Sequence, residues 1–156
     1  MNATPSEVAL GIARTLCIQF EGFSSVPYLC PAGYWTIGYG TVYKPDGSQV
    51  TASHPPITKQ LALEWLDHEL LHNYMPAVLS ATPNLLKHPQ VLGALTDFAY
   101  NLGGARYRAS TLARCVRAEQ WAQARAELAK WTRGGGRILP GLVRRRASEA
   151  KFFPQN

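Results

Sequence analysis

Glu21, Cys30 and Thr36 follow one another as Glu-x8-Cys-x5-Thr in a stretch rich in aromatic, β-branched and glycine residues. A carboxylic acid can give a proton to a departing oxygen, and a second polar group can direct water at the carbon left behind. Hydrolysis of a glycosidic bond needs little more. The spacing alone is weakly specific. A Glu at a helix end is ordinarily solvated, a lone Cys is ordinarily a small buried hydrophobe, and a strand Thr is ordinarily there for its β-propensity. A second pattern, His68-Glu69-Leu70-Leu71-His72, spells the H-E-x-x-H of zinc peptidases, in which two His one turn apart bind metal and the Glu is the base. Met75 and Val78 stand where the extended motif has its Gly and third His. No third ligand is identifiable, and a polar helix face is the simpler reading. Gly134-Gly135-Gly136, between Arg133 and Arg137, lacks the preceding strand and following Lys-Ser/Thr of a phosphate-binding loop and reads as a flexible helix connection.

The elements that must position these residues follow from periodicity. Val8, Ile12, Leu16 and Phe20 recur every four positions, which predicts an amphipathic helix over 6–20 that ends at Glu21 with Gly22 as its cap. Val26-Pro27-Tyr28, the run from Tyr34 to Tyr43, and Gln49-Val50-Thr51 predict a short antiparallel hairpin or three-stranded sheet, with Asp46-Gly47 as the clearest turn. Thr58 has the chemistry of an N-cap for a helix running to Pro76. Helices are further expected over 89–102, 111–118, 120–131 and 140–153. The fold class is therefore α+β: a small N-terminal antiparallel sheet lobe joined by a helix to a larger helical lobe. Its expected limits are a single domain over 1–156, with the sheet lobe at about 22–57, the linking helix at about 58–75, and the helical lobe at about 76–156 together with the N-terminal helix.

Composition narrows the partners. A chain of 156 residues, 46% hydrophobic and 17% charged, can bury a core without metal or disulfide staples. Its net charge of +6 favours polyanions, a property shared by nucleic-acid binders, membrane-surface proteins and enzymes that attack anionic cell walls. The run Arg144-Arg145-Arg146 reads as a solvated helix face with added attraction to such surfaces. The three cysteines are an odd number at no metal-ligand spacing, pointing to a reducing compartment. The residues after Met1 have neither a basic n-region nor an uninterrupted apolar run, so no signal peptide or transmembrane segment is expected.

Around the triad, Glu21-Gly22 and Gly33-Tyr34-Trp35-Thr36-Ile37-Gly38-Tyr39-Gly40 resemble the signature of glycoside hydrolase family 24, the phage lysozymes and endolysins. The resemblance continues through Ala94-Leu95-Thr96-Asp97-Phe98-Ala99-Tyr100-Asn101-Leu102-Gly103, Ser110-Thr111-Leu112 and Ala129-Lys130-Trp131. It ends in Leu139-Pro140-Gly141-Leu142-Val143-Arg144-Arg145-Arg146, so it covers nearly the whole chain in the family's order. It implies a lysozyme-like fold and a muramidase that cuts the β-1,4 bond between N-acetylmuramic acid and N-acetylglucosamine in bacterial peptidoglycan, leading to host lysis. In the family's pattern Glu21 is the acid, Cys30 stands where Asp is usual, and Thr36 helps hold the attacking water, with inversion at the anomeric carbon. A thiol near its ordinary pKa of about 8.5 is mostly neutral at pH 7, which suits positioning water more than deprotonating it. Val42, Tyr100, Asn101 and Thr111 are implied on the saccharide side. Each also has a plain alternative: a strand valine, core positions for Tyr100 and Asn101, and a helix cap for Thr111. One of Arg144, Arg145 and Arg146 is expected beside Glu21, and the sequence does not choose among them. The resemblance further implies a monomer without cofactor or metal that binds peptidoglycan and no specific nucleic acid. Transient contact with an anionic wall or membrane surface fits the charge. The enzyme would be held in the host cytoplasm until released to the wall. The rival readings are a basic nucleic-acid-binding module and an inactive wall-binding protein of the same fold.

Overall fold

The computed structural model describes residues 2–155; the two ends of the expected 1–156 span lie outside the described residues. Helix α1 (Pro5–Glu21) starts at a reciprocal cap. The Glu7 backbone N–H donates to Thr4 Oγ1 at 3.2 Å, and the Thr4 N–H donates to Glu7 Oε2 at 2.7 Å. Within its apolar stripe α1 buries the small-residue side together with Leu16. Ala9, Ala13 and Cys17 are fully buried, whereas Val8, Ile12 and Phe20 are only half-buried. The reason is the close approach of helix α4 (Pro89–Leu102): a Cβ added to Gly93 would lie 2.7 Å from both the Ala9 carbonyl oxygen and Ile12 Cβ. Small residues on one helix and a glycine on the other bring the two axes together.

The sheet is two-stranded. Strands β1 (Ser24–Leu29) and β2 (Trp35–Gly38) pair antiparallel, Tyr28 opposite Thr36 and Leu29 opposite Trp35, with an irregularity between Ser24 and Tyr28. The expected third segment contributes only a single bridge, Tyr43 to Gln49, and a second isolated bridge, Ile37 to Thr41, closes the turn after β2. The Asp46-Gly47 turn forms as expected, with Asp46 Oδ1 accepting from the Ser48 N–H at 2.9 Å and hydroxyl at 2.6 Å.

Helix α2 (Lys59–Glu69) is capped by Thr58, whose hydroxyl accepts from the Leu61 N–H at 3.1 Å. The expected stop at Pro76 is not a stop. A π-helical turn (Leu70–Tyr74) precedes helix α3 (Met75–Ala81), and the Met75 N–H bonds back five residues to the Leu70 carbonyl. The wide turn lets Pro76, which has no N–H to give, sit in the first turn of α3 where none is needed. A 3-10 turn (Pro83–Lys87) leads into α4.

Beyond α4, a short helix α5 (Gly104–Ala109) fills the stretch between the helices expected over 89–102 and 111–118, and Gly103, at φ +98°, breaks the chain before it. Helices α6 (Thr111–Arg117) and α7 (Trp121–Leu128) follow. The triple glycine is a correction to the expected flexible connection. Arg133–Gly134 (β3) and Arg137–Ile138 (β4) form a small hairpin, with Gly135 and Gly136 at φ +58° and +82° supplying the left-handed turn it requires. Helix α8 (Pro140–Ala150) stops three residues short of the expected Phe153.

Two apolar clusters result. One fills the helical lobe around Leu92, Leu95, Phe98, Leu112 and Leu128. The other joins Ile37, Tyr39 and Val50 of the sheet lobe to Ala13 and Cys17 of α1 and to Leu66 of α2. The sheet lobe therefore has no core of its own and is held in place by the helices that flank the site. No helix of the described residues is long and apolar enough to cross a membrane.

Candidate active site

Glu21 is the last residue of α1, and Gly22, at φ +69° and ψ 173°, turns the chain sharply into β1. The carboxyl is thereby left at the junction of the lobes, with its side chain about 24% exposed. Arg145 holds it. The Arg145 Nη1 donates to Glu21 Oε1 at 2.6 Å, while its Nε and Nη2 donate to Asp97 Oδ2 at 2.9 Å and Oδ1 at 2.7 Å. Of the three consecutive arginines, the residue beside Glu21 is thus Arg145. Arg144 is exposed, and Arg146 turns away to Asn101 Oδ1 at 2.9 Å and Glu149 Oε1 at 2.8 Å.

Asp97 is fully buried in α4 and also accepts from the Cys17 thiol at 3.2 Å. Burial alone would push its carboxyl up; the charge-assisted bonds from Arg145 outweigh that and hold it below the usual range. Burial and the neighbouring Asp97 carboxylate push Glu149 well above that range. Arg145 is in turn held charged, because the two carboxylates overcome its own desolvation.

Cys30 and Thr36 share one face of the hairpin. Cys30 follows directly on β1, with its N–H donating to the Tyr34 carbonyl at 3.0 Å, and Thr36 stands two residues further along β2. Thr36 is buried, and its hydroxyl donates to the Tyr34 carbonyl at 3.0 Å. The Cys30 thiol departs from the expectation of an ordinary value. It is held below it by the backbone N–H of Tyr34, against a small opposing effect of burial, with help from the Thr36 hydroxyl and the N–H groups of Ala32 and Gly33. Cys17, by contrast, is pushed far up by burial and by Asp97. Iodoacetamide at pH 8 is therefore expected to label Cys30 well before Cys17 or Cys115, both buried. Peptide mass mapping over a time course checks this, and comparable labelling rates at the three thiols would contradict it.

Two hollows lie near Glu21, which lines the first of them. One, of about 530 Å³, is lined by Phe20, Glu21, Asn101, Leu142, Arg144 and Arg145, among others. The other, of about 260 Å³, is bounded by Tyr34, Gly40, Val42, Glu69 and Tyr74. Gly40 joins them: at φ +93°, a Cβ there would come within 2.9 Å of the Tyr100 hydroxyl and 3.6 Å of Glu21 Oε2. Val42 and Asn101 thus border the cleft, one from each side. Tyr100 lies at the seam. Its hydroxyl donates to the Tyr39 carbonyl at 2.5 Å, tying α4 to the sheet lobe, and its ring meets that of Tyr74 edge-on at 5.1 Å. Thr111 stands apart from both hollows as the first, exposed residue of α6, accepting from Arg114 at 2.9 Å; the helix cap is Ser110. The H-E-x-x-H segment is divided. The His68 and His72 rings pack together at 4.4 Å, while Glu69 turns inward, and among the described residues no group of three His, Cys, Asp or Glu could hold a metal ion.

A carboxyl fixed by an arginine at the waist of a two-lobed cleft, with a thiol and a hydroxyl on the hairpin that follows its helix, is a specific enough arrangement to compare with known proteins. Residues 18–149 match the family model described as phage lysozyme. The chain belongs to the phage lysozyme family. It is 33% identical over 140 residues to the endolysin of Bacillus phage B103, covering 86% of this chain and 49% of that one. It is 30% identical over 139 residues to the endolysin of Bacillus phage PZA, covering 87% and 49%. The chain thus spans about half the length of these two relatives. Among solved structures, the endolysin from Escherichia coli O157:H7 phage FAHEc1 superposes with a TM-score of 0.76 at 26% identity, covering 97% of this chain and 94% of that one.

Within this phage lysozyme fold, sequence reasoning missed the residues that support Glu21. Asp97 stood inside a quoted motif without a role. Its signal was available: a carboxylate in the apolar run from Val91 to Ala99 has to be buried, and a buried carboxylate requires a partner. Glu69 was read only as part of a metal pattern. Gly40 was quoted without the reason for its being glycine.

Proposed function

We propose that this chain is a glycosidase, a muramidase of the endolysin type. It hydrolyses the β-1,4 bond between N-acetylmuramic acid and N-acetylglucosamine in bacterial peptidoglycan, with host lysis as the outcome. The observation that carries the reading is the division of labour on Glu21. Arg145 takes Oε1, while Oε2 faces Gly40 and the cleft. Oε2 is then the oxygen that carries the proton to the departing sugar oxygen, and Arg145 stabilises the carboxylate that remains. Cys30, its thiol held below the ordinary value by backbone N–H groups, and Thr36 receive a water on the opposite face of the sugar ring. Cys30 accepts the water's proton as its oxygen attacks, which inverts the anomeric centre. Val42 and Asn101 border the saccharide path, Tyr100 closes the seam beneath it, and Thr111 serves only a glycan long enough to reach α6. The net charge of +6 favours approach to an anionic wall. The reading also takes the enzyme as a cofactor-free monomer that waits in the host cytoplasm until released to the wall.

The test is product analysis. Purified peptidoglycan is digested, the new reducing ends are converted to alditols with borohydride, and the sugars are identified after acid hydrolysis. Reduced muramic acid is expected. Reduced glucosamine would assign the other glycosidic bond, and no new reducing ends at all would overturn the glycosidase reading.

A further inference from the structure

The sheet-lobe end of the cleft contains a carboxyl group that the proposed reaction does not use. Glu69, the last residue of α2, is only 8% exposed, yet it lines the hollow of about 260 Å³ together with Gly40, Val42 and Tyr74. Its Oε1 and the hydroxyl of neighbouring Thr41, both sealed from solvent, meet each other only at long range, so neither makes a full hydrogen bond. Buried polar groups are seldom left unpaired unless something outside the free fold pairs them. Tyr34 and Tyr43, on the same hollow, are 48% and 54% exposed and offer ring faces at its mouth. Rings that can pack on the apolar face of a pyranose, beside donors and acceptors that can take its polar edge, are suited to a neutral sugar.

The groups that share Glu69's surroundings are Thr41 from the sheet lobe, Tyr74 from the π-helical turn and Tyr100 from α4, none of them cationic. Cys17 and Glu21 of α1 act on both tyrosines, and His68, one residue back on α2, packs against His72. With no positive charge to oppose it, burial pushes the Glu69 carboxyl up to about 7, and the Thr41 hydroxyl draws it only partly back. An anionic ligand is therefore disfavoured, and an uncharged one with both a donor and an acceptor is favoured.

We infer that Glu69, backed by Thr41, is a saccharide-binding residue that takes up the acetamido or hydroxyl group of an N-acetylated sugar seated along Val42. The inference rests on the proposed glycosidase reading and adds a binding residue to it. The neutral carboxyl donates to the sugar through its other oxygen, while the Thr41 hydroxyl stays behind it against Oε1.

Glu69→Gln keeps the shape, a donor and an acceptor but cannot ionise; Glu69→Leu keeps the volume and removes the polarity. With purified peptidoglycan as substrate, wild-type KM is expected to rise severalfold between pH 5.5 and 8.5 as the carboxyl ionises, whereas Glu69→Gln stays flat. Glu69→Leu is expected to raise KM about tenfold at pH 5.5, with kcat within about twofold, because one substrate hydrogen bond is lost and the reacting atoms are untouched. Its melting temperature is expected to hold or rise, because an unpaired buried carboxyl has been removed. Unchanged KM values and pH profiles in both variants, with wild type active, overturn this inference alone. A wild type that does not cleave peptidoglycan overturns both it and the glycosidase reading.

Discussion

Glu21→Gln is expected to lower turnover of peptidoglycan by about a thousandfold or more, the scale of losing a general acid, while the protein stays folded. The amide keeps an oxygen that can accept from Arg145 Nη1, so the bridge from α1 to α8 survives in geometry. What is lost is the proton on the second oxygen. Arg145 retains its bidentate partner Asp97, so no charge is left unpaired in the interior. The melting temperature should therefore move by no more than about 4 °C, the shift that corresponds to about 1 kcal/mol in a chain of this size. Turnover is read from the clearing of a peptidoglycan suspension, and the fold from the near-ultraviolet spectrum. A variant with even a tenth of wild-type turnover would remove Glu21 from the acid role.

The chain disclosed most where local chemistry acts alone. The N-cap of α2 at Thr58 and the Asp46-Gly47 turn are short-range effects, and both stand where periodicity and turn preference put them. Pairing was less legible. The segment around Gln49 had the composition of a third strand, yet it makes only a single bridge, because a strand needs a partner whose register no local pattern encodes. Gly134-Gly135-Gly136 was ambiguous for a related reason: glycine permits both a flexible connection and a left-handed hairpin turn, and only the pairing of Arg133 with Ile138 decides between them. At the site, Glu21, Cys30 and Thr36 are singled out by the motif that surrounds them, since their types and spacing alone are weakly specific. The choice of Arg145 over Arg144 and Arg146 was closed to sequence. It depends on the rotation of α8 about its axis, which places Arg144 outward, Arg145 toward Asp97 and Glu21, and Arg146 over the Phe98 ring.

That rotation makes Asp97 the residue whose loss should cost most in stability. Asp97 is fully buried and the Arg145 side chain is only 4% exposed. Asp97→Ala therefore leaves a guanidinium in the interior with Glu21 as its one anionic contact, and breaking such a pair from one side costs about 3–5 kcal/mol. Out of a total stability of about 5–15 kcal/mol, that loss should lower the melting temperature by at least about 6 °C. Replacing both partners separates stability from function. Asp97→Leu combined with Arg145→Met removes the two charges together and fills their volume with apolar atoms, which is expected to restore most of the lost stability. Activity is not expected to return, because Glu21 Oε1 then has nothing to hold it at the waist of the cleft. Thermal melts of the single and double variants, with turnover measured on each, check both halves. If the double variant regains turnover along with its melting temperature, Arg145 serves the fold alone and Glu21 does not depend on its grip.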